Sequence, residues 1–266
     1  MSHVELSVED AVAVLRISNP PHGYMNDSVT DELHRALRRT IARPDVKVIV
    51  LTGGEPDVFI QHFDLHDVEA VVRKLNERGD RFGDGTHVPE RAIDVMLRRI
   101  DMSPKPVIAA INGNAMGGGL ELALACDFRL AQDGDYMIGL PEIRIGALPG
   151  AGGTQRLARL VGPARALDLV MHGRRLSPRE ALAAGIVIEV TDGPVLERAR
   201  ERARDLASIP SNALASVKRL IRETAERPLY EGLDVERTLF MDLLAQPEAL
   251  ERVSALNARG GDFRSV

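Results

Sequence analysis

The chain contains no tryptophan, only 3% aromatic residues and one cysteine among 266 residues. A lone cysteine excludes an internal disulfide, and the apolar run around Cys126 indicates a small buried side chain in a reducing compartment. No apolar stretch reaches the length of a membrane span, and the first residues lack the basic and apolar regions of a signal peptide. We therefore expect a cytoplasmic protein with no membrane partner.

The charge balance and the motifs that are missing exclude further classes. The net charge is -5, which disfavours nucleic-acid partners. No Gly-Lys-Ser/Thr follows the glycine-rich segment, and its glycine spacing misses the dinucleotide-binding pattern. No His, Cys or Asp cluster has the spacing of metal ligands. We expect neither a metal nor a resident cofactor.

The first half of the chain alternates between strand and helix patterns. Apolar alternation over residues 4–17 predicts an opening β-hairpin. Residues 26–43 have helical spacing after an Asn/Asp cap and before Pro44. Short β-branched runs at 46–52 and 106–112 each precede a helical pattern. These segments predict ββα or βα units.

Later segments complete this pattern and then change character. A buried helix is predicted over 116–126, a strand over 128–131 and a further helix from Gln155 to Val161. Residues 193–266 are mostly amphipathic helix, interrupted at three prolines. We predict a core domain over 1–192 and a helical C-terminal region over 193–266, suited to capping the core or forming an oligomer.

Three glycine-containing motifs suggest a chemistry. They are Gly117–Glu121, which opens an apolar helix, followed by Gly139–Glu142 and Pro149–Gln155. Backbone N–H groups at a helix start stabilise developing negative charge. Nearby carboxylates can transfer protons. The combination suits a reaction through an enolate-like oxyanion, with Glu121 and Glu142 as acid and base.

Each part of this pattern also has a structural interpretation. A triple glycine alone is equally typical of a close strand-to-helix turn. Glu121 is also explained as a helix-dipole partner contributing a few tenths to about 1 kcal/mol. Burial and the helix end shift its pKa in opposite directions, which leaves its protonation state open. Glu142, considered alone, is more typical of a solvated turn.

Taken together, the motifs resemble those of the crotonase, or enoyl-CoA hydratase/isomerase, superfamily. The resemblance is strongest over 106–156, and weaker similarity extends it over nearly the whole chain. It implies an α/β spiral of ββα units, with a helical C-terminal region that assembles homotrimers, often paired into hexamers. The implied substrate is an acyl-CoA thioester, with coenzyme A as part of the substrate and no separate cofactor.

The resemblance also implies roles for particular residues. The backbone N–H groups of Phe63 and Gly118 match the family's oxyanion hole. Glu121 and Glu142 match the two glutamates of true hydratases. They would hold a water against the double bond of a 2-enoyl-CoA, with Glu142 as the acid at C2 and Glu121 as the water-orienting base. Coupled carboxyls could also share or exchange these roles.

Several positions depart from the family pattern. His62 stands where the family has glycine, beside Phe63, and is interpreted either as a packing or loop-surface residue or as a titrating group added to the pocket. Gly117 is a further candidate contact for the pocket or for coenzyme A. Residues 65–104 are longer than usual, and we expect a mobile lid there. The family's tail is more basic than this one, although Arg259 remains a candidate contact for a coenzyme A phosphate.

These features favour an enoyl-CoA hydratase that adds water reversibly to a 2-enoyl-CoA. One alternative is an enoyl-CoA isomerase or a dehydratase of a specialised acyl-CoA, although the presence of both glutamates disfavours a one-glutamate isomerase. Another is a catalytically weak acyl-CoA-binding homologue, suggested by the His62-Phe63 segment. Binding without turnover separates this last alternative from an enzyme.

Overall fold

The structure is a computed structural model that describes residues 2–262. It forms two compact units, Met1–Ser208 and Ile209–Val266. The first unit contains a six-stranded sheet that opens with the predicted antiparallel hairpin. The other strand pairs described in this sheet are parallel. In spatial order its strands are β1 (Val4–Glu9), β2 (Val12–Ile17), β3 (Val48–Gly53), β5 (Val107–Ile111), β7 (Phe128–Gln132) and β10 (Glu189–Thr191).

A smaller, four-stranded sheet lies in the same unit. Its first three strands are parallel, and the fourth pairs with the third in the antiparallel direction. Because parallel strands end at the same edge of a sheet, the segments that follow them lie side by side. In spatial order the strands are β4 (Asp57–Ile60), β6 (Gly113–Met116), β8 (Ile138–Gly139) and β9 (Arg175–Leu176).

Helices connect these strands. The first helix begins as the sequence predicts, since the Asn26 side chain accepts a hydrogen bond from the Val29 N–H at 3.0 Å and so caps it. The helices of this unit are α1 (Asp27–Ala42), α2 (Leu65–Arg78), α3 (Ala92–Asp101), α4 (Gly118–Ala125), α5 (Gly153–Val161), α6 (Pro163–Met171), α7 (Pro178–Ala183) and α8 (Val195–Ala207).

The central strands β2, β3 and β5 of the six-stranded sheet are buried on both faces. In β2, Ala13 and Leu15 face the main core, which also contains buried residues of α1, α3 and α4. Val12 and Val14 face the opposite side, where they pack with the α8 face that includes Ala199. This alternation follows from the two-residue period of a strand.

One predicted boundary needs correction, and one predicted segment gains internal structure. The helix predicted from Met116 begins at Gly118, because Met116 is the last residue of β6. The 65–104 segment contains α2 and α3, with a connection over 79–91 between them. No residue of α2 is buried. Movement of this segment over a substrate remains a prediction.

The second unit consists of α9 (Ser211–Glu223), α10 (Leu229–Leu244) and α11 (Pro247–Ala258), separated at the predicted prolines. It begins after Ser208 rather than at the compositional change at 192/193, because α8 packs on the sheet of the first unit. Among residues 2–262, no helix is both long and apolar enough to span a membrane.

Candidate active site

The parallel strands of the smaller sheet bring the predicted site residues together. Phe63 follows β4, Gly118 and Glu121 follow β6, and Glu142 follows β8. The Gly117 N–H donates to Gly139 O at 2.9 Å, which links the segments after β6 and β8. Gly117 has a positive φ of 51°, a backbone conformation that glycine adopts without steric penalty. The site therefore lies at the carboxyl edge of this sheet.

Glu121 is a buried carboxyl group, 3% exposed, in the first turn of α4. Its Oε1 atom accepts hydrogen bonds from the N–H groups of Ala151 at 2.7 Å and Gly153 at 2.8 Å. Burial raises the pKa of Glu121, whereas these two N–H groups and the positive charges of Arg91 and Arg156 act in the opposite direction. Among the described residues, none donates to Oε2, which leaves that oxygen available to a ligand or water.

The loop over residues 149–153, here called the glutamate-binding loop, is itself held by two arginines. Arg91 donates to Gly150 O at 2.6 Å. Arg156 donates to Ala151 O at 2.9 Å and pairs with Asp101 at 2.6 Å. The position of the Glu121 side chain therefore depends on residues well separated from it in sequence.

Glu142 starts a short 3-10 helix, Glu142–Ile145, and is half-buried rather than a solvated turn residue. A methyl group added to Gly117 would lie 3.0 Å from its Oε1 atom. Its Oε2 atom is buried and accepts no hydrogen bond within the part of the chain that the structure describes. Burial, together with the negative charge of Glu121, raises the pKa of Glu142 to about 7.

The backbones of Gly118 and Phe63 approach each other beside these carboxyls. A methyl group added to Gly118 would lie 3.7 Å from the Phe63 nitrogen. Gly118 is the first residue of α4, where N–H groups have no intrahelical partner. Phe63 forms a parallel β-bridge with Met25. The Met25 N–H donates to His62 O and Met25 O accepts from the Asp64 N–H, so the Phe63 N–H points away from Met25. Within residues 2–262, neither N–H donates to a protein acceptor.

His62 contributes a ring beside the Gly117 turn. Its Nδ1 atom lies 2.8 Å from Phe63 O, and because a carbonyl only accepts, Nδ1 donates this hydrogen bond. The imidazole stacks on Tyr24 with ring centroids 4.6 Å apart, and Tyr24 also contacts the ring of His22. These contacts give His62 a packing role. A catalytic role for it remains a prediction.

Sequence reasoning did not find Tyr24, Arg91 or Arg156 as site residues. Arg156 lies at the end of a predicted motif, so only its role was missed, whereas nothing in the sequence connects Tyr24 or Arg91 with the glutamates. Arg259 follows α11 in the second unit, and its contact with coenzyme A remains a prediction. Across residues 2–262, no group of three or more His, Cys, Asp or Glu side chains is arranged to hold a metal ion.

Similarity to known proteins extends along the whole chain. Residues 7–257 match the family model described as enoyl-CoA hydratase/isomerase. The chain belongs to this family. It is 36% identical over 267 residues to a probable enoyl-CoA hydratase of Bacillus subtilis (strain 168), covering 99% of each chain. It is 33% identical to the 2,3-dehydroadipyl-CoA hydratase of Escherichia coli (strain K12), again covering 99% of each.

Solved structures of the enoyl-CoA hydratase/isomerase family have the same fold. The crystal structure of an enoyl-CoA hydratase from Bacillus anthracis matches this chain with a TM-score of 0.84 and 30% identity, covering 97% of this chain and 96% of that one. The resemblance to the crotonase superfamily is therefore confirmed. So is the predicted α/β fold with a helical C-terminal region.

Proposed function

We propose that this family member is an enoyl-CoA hydratase, which adds water reversibly across the double bond of a 2-enoyl-CoA thioester. The observation that carries the proposal is the convergence of two carboxyls, Glu121 and Glu142, on one sheet edge. Beside them are two N–H groups that have no acceptor within the described residues 2–262. The hydratases among its relatives support the same reaction. The reaction requires no resident cofactor, because coenzyme A is part of the substrate.

In the proposed mechanism, the N–H groups of Phe63 and Gly118 receive the thioester oxygen. Negative charge grows on this oxygen as water adds at C3 and the intermediate becomes enolate-like. Preorganised N–H groups stabilise such charge more strongly in the transition state than in the ground state. The approach of the two backbones and the lack of competing acceptors within residues 2–262 support this role.

Glu121 acts as the base in this proposal and Glu142 as the acid. The Glu121 carboxylate takes one proton from the attacking water as the O–C3 bond forms, and the Glu142 carboxyl delivers a proton to C2 as the double bond is lost. The two N–H donors on Oε1 favour the ionised form of Glu121. In the part of the chain that the structure describes, nothing donates to the buried Oε2 of Glu142, and a pKa of about 7 keeps a large protonated fraction at neutral pH.

The test measures hydration by the purified protein across short, long, branched and aromatic 2-enoyl-CoA thioesters. We expect Glu121→Gln and Glu142→Gln each to lower kcat by about 100- to 10,000-fold, because the amide retains the size of the side chain but cannot exchange protons. Glu201→Gln is the matched control, since Glu201 is 55% exposed and pairs with Arg198 on α8.

Two outcomes contradict the proposal. Near wild-type turnover in a Gln variant removes that glutamate from the mechanism. If the thioesters bind but none is hydrated, a binding role or another acyl-CoA reaction replaces the hydratase assignment. Acyl-CoA binding by the Gln variants, measured by calorimetry, separates loss of chemistry from loss of the site.

We further propose that the protein is a homotrimer or a dimer of trimers. Large apolar side chains of α10 support this, because Tyr230 is 79% exposed, Met241 62% and Phe240 58%. Exposed apolar surface of this kind is typical of interaction faces. Sedimentation equilibrium tests the proposal, and a monomer at micromolar concentration contradicts it.

A further inference from the structure

Both ends of helix α3 are linked to the glutamate-binding loop through arginine side chains. Arg91, directly before α3, donates from Nη2 to Gly150 O at 2.6 Å. At the other end of α3, Asp101 pairs with Arg156 at 2.6 Å, and Arg156 donates to Ala151 O at 2.9 Å. Two consecutive carbonyl groups of the loop are therefore held by guanidinium groups.

The hydrogen bond from Arg91 is connected to Glu121 through a single peptide group. The carbonyl of Gly150 and the N–H of Ala151 belong to the same peptide. Its oxygen accepts from Arg91, and its N–H donates to Glu121 Oε1 at 2.7 Å. Hydrogen bonds at the two ends of one peptide polarise each other, so a cation on the oxygen strengthens donation by the N–H.

The Arg91 guanidinium is itself fixed in place. Its Nε and Nη2 atoms each donate to Asp94 at 2.9 Å, which makes a two-point contact. The Asp94 carboxylate also accepts from the Arg91 backbone N–H at 2.9 Å. Because Nε and one N–H of Nη2 are held by Asp94, the second N–H of Nη2 is directed at Gly150 O.

We propose that Arg91 is a positioning residue for Glu121, acting through the Gly150–Ala151 peptide to fix the carboxylate and favour its ionised form. This role concerns the same site as the proposed hydratase function. Its kinetic test rests on that function, because it measures hydration. It also gives the unusually long 65–104 segment a structural contribution to the site.

The charged groups around Glu121 determine the direction in which its pKa should move when Arg91 is replaced. Arg91 faces it from the start of α3 and Arg156 from α5, and Glu142 adds a negative charge only when it is ionised. Asp94 and Asp101 pair with the two arginines and offset part of their charge. Loss of the Arg91 cation removes one influence that lowers the pKa of Glu121. The pKa of Glu121 should therefore rise.

The experiment compares Arg91→Met and Arg91→Lys with the wild type. We expect Arg91→Met to lower kcat by about 10- to 100-fold with little change in KM, since a misplacement of a catalytic group by about 1 Å can cost about 100-fold. The acid limb of its pH profile should move to higher pH. Arg91→Lys retains the charge but loses the planar fork, so it should lower kcat with a smaller movement of the acid limb.

Arg98→Met is the matched control, because Arg98 lies on the same helix and pairs with exposed Glu90 at 2.7 Å. Its kcat and pH profile should equal those of the wild type. Circular dichroism and thermal melting of each variant verify that it folds.

A second measurement does not depend on turnover. Infrared titration follows the protonated carboxyl band of Glu121, assigned by its loss in Glu121→Gln, and Arg91→Met should move its titration to higher pH. An unchanged Glu121 titration in folded Arg91→Met overturns the proposal. If the wild type hydrates no thioester but the titration still moves, the hydratase assignment fails and the role of Arg91 stands.

Discussion

The raised pKa of Glu142 should make this residue a source of instability at alkaline pH. Burial, with a smaller contribution from the charge of Glu121, raises this pKa from 4.5 to about 7. An acid whose pKa is raised on folding contributes stability below its unfolded pKa, and this stability is lost as the pH rises through the folded value. Glu142→Gln removes the titration and should raise the free energy of unfolding relative to wild type at pH 8.

The magnitude follows from the size of the shift. One pKa unit corresponds to about 1.4 kcal/mol, so a rise from 4.5 to about 7 sets an upper limit of about 3.5 kcal/mol on the relative stabilisation of the Gln variant above pH 7. Solvent screening at this half-buried side chain makes the expected difference smaller, about 1 to 2 kcal/mol. Below about pH 4.5 the carboxyl is protonated in both states, and the difference due to titration should vanish. Thermal melting of both proteins at pH 4, 6 and 8 measures the difference as a function of pH.

Glu189→Gln provides a control of opposite sign. Hydrogen bonds from Arg198 at 2.5 Å and Arg202 at 2.8 Å lower the pKa of Glu189. A lowered pKa stabilises the fold above the unfolded value, so this variant should melt earlier than wild type at pH 8. The argument that burial raises the pKa of Glu142 is refuted if Glu142→Gln has a melting temperature no higher than wild type at pH 8 while Glu189→Gln is destabilised.

Further predictions concern the framework of the site. Gly119→Ala should strongly destabilise the fold, because the added methyl group would lie 2.3 Å from Ile60 O. Gly193→Ala is the control, since its methyl group would have no heavy atom within 4 Å, and its melting temperature should be within a degree or two of that of wild type. Asn26→Ala should lower the free energy of unfolding by about 1 kcal/mol, because it removes the cap on the Val29 N–H; denaturant unfolding measures this, and an unchanged midpoint contradicts it.

Local patterns predicted the framework well, because hydrophobic period and capping are properties of short segments. The hairpin over 4–17, the helix capped by Asn26 and the proline-separated helices of the C-terminal region all depend on residues near each other in sequence. The start of α4 was placed two residues early because β6 ends at Met116, so apolar strand runs directly into apolar helix. Periodicity cannot separate elements that join in this way.

The site was predicted from family resemblance more than from the residues alone. Taken singly, Glu142 looked like a solvated turn residue, and only the parallel pairing of β6 with β8 brings it beside Gly117. The stack of Tyr24 on His62 also depends on tertiary structure, because it joins the turn after β2 to the segment after β4. No pattern within either segment indicates the other.

The protonation of Glu121 illustrates what a sequence leaves open. Burial and the start of a helix give opposing influences on its pKa, and both can be inferred from the sequence around Gly117–Glu121. The N–H groups of Ala151 and Gly153 add a third influence that arises only when the chain folds. Because burial raises the pKa of both glutamates, it cannot assign their roles. In the proposed mechanism the difference in hydrogen-bond donors assigns them. Two N–H groups favour a carboxylate at Glu121, whereas within residues 2–262 the buried Oε2 of Glu142 accepts no hydrogen bond, which favours a proton there.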